Sequence, residues 1–128
     1  MTAPAIPVSR TGTIVLWVLR ILMAALFLFG SIMKLTGQPM MVEEFSTIGF
    51  GQWFRVVTGI LELAGGVAVL IPSLSPFGAI ALLLVDVGDF VAQVSILHMD
   101  WIHTIVVALI LCVIIYLQRD QIRRRLEQ

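Results

Sequence analysis

The chain has 128 residues, of which 59% are hydrophobic and only 12% charged, and its eight basic and eight acidic side chains balance to a formal net charge of zero. A mean hydropathy of +1.05, with about half the charge density of an ordinary soluble domain, marks an integral membrane protein, and the balanced charge excludes the broad basic face that binds nucleic acid. The single cysteine, Cys112, excludes a disulfide framework or a CxxC redox pair, and inside an apolar run it reads as a small packed hydrophobe.

Residues 1–12 carry Pro4, Pro7 and Arg10 and read as a mobile leader. Residues 13–32 form the first apolar run. It resembles a secretory signal at first sight, but Arg20 lies within it and no small-x-small cleavage site follows, so it reads as a retained helix. Arg20, Ala24, Phe27, Ser31 and Lys34 recur at steps of four and three, which places both cations on one face, about 21 Å apart along the axis. Arg20 then lies roughly 10 Å inside one membrane surface, where it must snorkel or find a partner, with Lys34 near the opposite boundary.

Residues 36–52 change character, with the pair Glu43 and Glu44 and three glycines. Met40, Met41, Phe45 and Ile48 mark the apolar side of a short interfacial helix begun at Pro39, with the acids on its wet side. The segment reads as a surface connection or as a lid over a cavity. Residues 53–71 supply a second span, with Trp53 as an interface anchor and Glu62 near the midplane. Arg55, Gly59, Glu62 and Gly66 share one face, so small residues flank the acid and admit another helix backbone.

The turn between Pro72 and Pro76 makes the second span and the third, residues 77–97, an antiparallel pair. The third carries Asp86 and Asp89 in its middle, three apart and therefore on one face, with Gln93 extending the same stripe. An unpaired carboxylate at bilayer depth costs roughly 2.5 to 3.5 kcal/mol even on lenient insertion scales, so two on one face require a partner or a proton. Gly88 and Ala92 form a small-xxx-small pair suited to close helix packing or to contact with a second copy of the chain.

His98 and His103 flank Asp100 and Trp101 beyond the third span, and their five-residue separation matches no standard metal motif. Neither lies inside a span where a haem ligand is expected, and an interfacial, solvated pair is the reading adopted. Residues 102–117 form a fourth apolar run, and the tail, residues 118–128, holds Arg119, Arg123, Arg124 and Arg125. Four spans put both ends on one side, and the arginines at the tail with Arg10 at the front assign that side to the cytoplasm. The expected architecture is an all-α membrane protein, a four-transmembrane-helix bundle over residues 13–117.

By depth, Arg20, Glu62, Asp86 and Asp89 share one central layer of the membrane. Three carboxylates against one guanidinium leave an excess of negative charge there, so at least one acid is expected to hold a proton. In a structural reading Arg20 pairs with Glu62 and an aspartate, and the network fixes helix register. In a functional reading the acids line a cavity that holds a proton or the polar head of a lipophilic molecule. The second is preferred, because a network serving only register needs fewer acids.

An arginine early in the first helix (Arg20), FGSIMKL with Gly30 and Lys34, GILELAGG with Glu62 and Gly66, and a histidine closing the third span (His98) together resemble the DoxX family from about Arg20 to the fourth helix. The resemblance implies a small bacterial inner-membrane protein with a four-helix bundle. The family takes its name from subunits of quinone-linked thiosulfate-oxidising complexes, and some members act in membrane redox assemblies. Arg20, Lys34, Glu62 and His98 carry over position by position; Asp86 and Asp89 fall outside the family pattern and imply a specialised site.

The leading expectation is a membrane protein that binds a small lipophilic molecule, a quinone first, and supports a redox partner protein or assembles with further copies of itself. Arg20, Lys34, Glu62, Asp86, Asp89, Gln93 and His98 form its binding set. Glu62 and Asp89 exchange protons with the head group or hydrogen-bond it, Arg20 keeps one carboxylate ionised, and Asp86 keeps a proton at rest. A second expectation is a general acid/base enzyme acting on a hydrophobic substrate, using two carboxylates in different protonation states. A third is a purely structural or chaperoning subunit. No nucleotide, flavin or metal motif is found.

Overall fold

The computed structural model describes residues 10–97 and 101–126, without the side chain of Arg125. The elements run in the order α1 (Arg10–Leu35), α2 (Pro39–Ile48), α3 (Gln52–Leu70), α4 (Ser75–Ala92), a π-helical turn (Gln93–Leu97), α5 (Ile102–Leu117) and α6 (Arg119–Leu126). Every element among the described residues is helical. Three of them are long and apolar enough to cross a membrane: α1, α3, and α4 continued by its π turn. The fourth predicted span, α5, is apolar but has only 16 residues.

The helices pack in a ring. α1 lies on α3, α3 on α4, α4 on α5, and α5 closes back onto α1. Met23 and Phe27 of α1, Val69 of α3, Ala79 and Leu82 of α4, and Val107, Leu111 and Ile114 of α5 form the buried apolar core. The opposite faces are apolar too, with Phe29, Leu84 and Leu109 exposed, as lipid-facing surface should be.

Glycine sets the helix spacing. A Cβ on Gly65 would come within 2.7 Å of Leu82, and one on Gly78 within 2.9 Å of the Val69 backbone nitrogen, so α3 and α4 meet at van der Waals contact near the Pro72 turn. Gly59 faces Lys34 and Leu35, and Gly66 faces Leu28 and Ala24, which seats α3 against α1 as the shared face of Gly59, Glu62 and Gly66 predicted.

At the Pro72 end, Ser75 Oγ donates to Gln118 Oε1 at 2.8 Å and Gln121 Nε2 to the Pro72 carbonyl at 2.7 Å. These bonds fix α6 beneath the bundle, so what the sequence presented as a basic tail continues as helix. At the other end, Pro39 opens α2 and Gly49 closes it with φ +90, its N–H bonding the Phe45 carbonyl. Phe54 of α3 gathers Phe45, Trp53 and Phe50 around it at centroid distances of 5.8, 5.8 and 5.5 Å. α2 also touches the π turn. It is therefore a cover docked across that end of the bundle, the lid reading rather than a bare connection.

Two local expectations are corrected. The third span is α-helical only to Ala92, beyond which the backbone widens into the π turn. Cys112 is exposed on the outer side of α5 rather than packed in the core.

A charged cavity beneath the cover helix

Glu62 projects from α3 toward α1, into space that Gly30 leaves open: a Cβ on Gly30 would lie 3.0 Å from Glu62 Oε2. There Glu62 Oε1 meets Lys34 Nζ at 2.8 Å. Glu62 is 2% exposed and Lys34 8%, so this is a buried ion pair. Its partner choice corrects the expectation that Arg20 serves Glu62. Lys34 lies at the last turn of α1, and its long stem lets the ammonium fold inward instead of staying at the membrane boundary.

Arg20 is buried at the opposite end. Its Nε donates to the Val69 carbonyl at 2.8 Å, and its guanidinium lies over the Trp17 ring at 3.9 Å. Val69 belongs to the last turn of α3, where carbonyls lack helical partners, so Arg20 caps that helix and complements its dipole. Arg20 therefore neither pairs with an acid nor lines the cavity that holds them. Arg55, read in the sequence only as a member of the Glu62 face, does the equivalent for α1: it donates to the Lys34 carbonyl and, through Nε, to Gln52 Oε1 at 2.9 Å. Gln52 in turn donates to the Val42 carbonyl of α2 at 3.1 Å. This chain of bonds ties the end of α1, the cover helix and the start of α3 into one unit.

Between these elements lies a cavity of about 420 Å³, within the range of small-molecule sites. Lys34 and Glu62 form one wall, Asp86, Asp89 and Gln93 another, and Met40, Met41, Glu44 and Phe45 of α2 roof it. His103 also lines it from the start of α5 while remaining exposed, in keeping with the solvated, interfacial placement predicted for that residue. Glu44 turns to the cavity rather than to the wet side of α2. His98 and Asp100 lie outside the described residues.

Asp86 is 4% exposed. Among the described residues neither Asp86 nor Asp89 has a hydrogen-bond partner, and Gln93 Oε1 is buried without one. Lys34, His103, Glu44, Asp86 and Glu62 are titratable neighbours whose fields couple to Asp89. The cavity thus presents one satisfied ion pair beside two free carboxylates and a free amide oxygen, an acceptor-rich wall facing a single ammonium. Such a wall can receive hydrogen-bond donors from a guest, or hold protons that a guest takes up.

Six of the seven predicted binding residues can be placed. Lys34, Glu62, Asp86, Asp89 and Gln93 meet around the cavity, and Arg20 stands apart. The roof residues and His103 are the members that sequence reasoning missed. Helical spacing reports which residues share a face of one helix, and it cannot report which short segment folds over that face.

The sequence profile of the DoxX-like family matches residues 18–117, which takes in the last two-thirds of α1 through the end of α5. The uncharacterized protein YdgD of Bacillus subtilis (strain 168) is 37% identical over 51 residues, 40% of this chain and 45% of YdgD. The chain thus matches less than half the length of that relative. No solved structure matches. On the extent of the profile match and the helical bundle it encloses, the chain belongs to the DoxX-like family.

Proposed function

We propose that the protein binds a lipophilic molecule by its polar head in the cavity beneath α2, with a benzoquinone head as the first candidate, and that it supports a redox partner in the bacterial inner membrane with both ends cytoplasmic. The observation that carries this reading is the pairing of a closed Lys34–Glu62 bridge with two unpartnered carboxylates on the same cavity. If register alone were served, Asp86 and Asp89 would add cost without contact. Lys34, rather than Arg20, is the cation bridged to Glu62. Asp89, in the field of Lys34 and His103, hydrogen-bonds the head or passes it a proton, and Asp86 retains a proton at rest. Reduction of a quinone to a quinol takes up two protons with two electrons, so buried acids are chemically suited neighbours. The arginines at Arg119, Arg123 and Arg124 support the orientation.

The test is native mass spectrometry with organic extraction of the detergent-purified protein, comparing wild type with Glu62→Gln and Asp86→Asn/Asp89→Asn. Retention of a quinone by wild type and its loss from folded variants is the expected result. A wild type that carries no lipophile, or variants that carry as much, would overturn the reading. Turnover of a hydrophobic substrate without any electron acceptor would replace it with general acid/base catalysis.

A further inference from the structure

A second hollow, of about 540 Å³, lies on the lipid-facing side between α3 and α4. Near the Pro72 turn these helices touch through Gly65 and Gly78, whereas the hollow separates residues 54–61 of α3 from residues 81–92 of α4 and Ile96 of the π turn. The pair is therefore splayed, open toward the α2 end. The lining is apolar apart from Asp89 and Thr58, and its outer members, Leu61, Leu84 and Val91, are exposed. Phe45, Ile48, Asp89 and Ala92 line both this groove and the charged cavity. The two spaces are thus neighbours across one thin wall, with the Asp89 carboxylate and the Phe45 ring in it.

We infer that the groove between α3 and α4 carries the hydrocarbon chain of the molecule whose head occupies the cavity, so that the ligand is a single-headed, long-chained amphiphile that enters sideways from the bilayer. The inference rests on the cavity reading above. A head held in the cavity must let its chain reach lipid, and of the spaces beside the cavity the groove is apolar, leads to lipid and adjoins the acids. The chain gains little affinity there, because lipid tails are as apolar as the groove wall. What the groove supplies is passage, and a steric filter on what can reach Asp89.

Gly88 is the point at which to test this. A Cβ added there meets nothing within 4 Å, and Gly88 lines the groove, so a side chain at this position starts in open space beside it. The probes are two benzoquinones with the same head, one bearing a methyl and the other a dodecyl substituent, bound to the full chain in nanodiscs. In Gly88→Phe the ratio of dodecyl to methyl affinity is expected to fall at least tenfold, while Leu109→Phe, which places the same aromatic side chain on the outer face of α5, leaves the ratio as in wild type. Glu62→Gln weakens both compounds alike. An unchanged ratio in folded Gly88→Phe overturns the groove while leaving the cavity reading intact. If neither compound binds wild type, the quinone head fails, and the groove is judged by what the protein carries through delipidation. Chain-bearing molecules lost from Gly88→Phe uphold it; their equal retention, or none in wild type, overturns it.

Discussion

Replacing Lys34 with methionine removes the cation from the Lys34–Glu62 bridge and leaves the Glu62 carboxylate within the bundle. At 2.8 Å and an effective dielectric of about 20, the lost attraction is about 6 kcal/mol before desolvation is subtracted. Breaking one side of a buried pair typically costs about 3 to 5 kcal/mol. Because the pair borders a cavity that water can share, the lower figure applies, and we expect Lys34→Met to lose about 3 kcal/mol, a factor of more than a hundred in the folding constant. Glu62→Met should cost less, since the Lys34 stem can swing its ammonium back to the membrane boundary. The double variant should recover most of the loss, as a hydrophobic pair of similar volume usually matches a buried bridge. The assay is unfolding in mixed micelles by graded sodium dodecyl sulfate, followed by circular dichroism. Costs that simply add in the double variant would refute the argument, because independent sites add and bonded partners do not.

Arg20→Met should destabilise the bundle by about 1 to 3 kcal/mol through the orphaned Val69 carbonyl, yet leave the lipophile bound, which separates capping from ligand contact in one preparation. Gly78→Val should destabilise the bundle by about 1 to 3 kcal/mol, read as a lower unfolding midpoint, because its side chain meets the α3 backbone and the Ala68 Cβ rather than a side chain that can move. Arg55→Ala should raise amide hydrogen exchange in α2 and at the end of α1 with little change in α4, since only the first two hang on its bonds. Equal exchange across all three would contradict that account.

Composition and hydropathy period were sufficient for an all-helical membrane bundle, because lipid demands internally bonded segments of a set length. The antiparallel order followed from the short proline-bounded turn at Pro72. The acid layer was legible as well, since Asp86 and Asp89 share a face by arithmetic. Pairing across helices was not. Arg20 and Lys34 stand on one face of α1, and depth alone assigned Glu62 to the wrong cation, because an axial estimate ignores how far a lysine stem reaches and how strongly a helix end attracts a guanidinium. The sequence left α2 open between connection and lid, because its anchor is a relay through Arg55, Gln52 and the backbone of Val42, in which two of the acceptors are carbonyls common to every residue.

The inequality of the helices has a further consequence. α1, at 26 residues, is about 39 Å long, whereas α5, at 16, is about 24 Å, against a hydrocarbon core of about 30 Å. The apolar run of α1, residues 13–32, spans about 30 Å and its ends reach past the hydrocarbon, whereas α5 is too short to cross it. Thinning of the membrane beside α5 accommodates that mismatch. The surrounding lipid is thereby shaped as a wedge, and bilayer thickness becomes a variable that sorts the protein among membranes and governs how tightly α5 is held against α1.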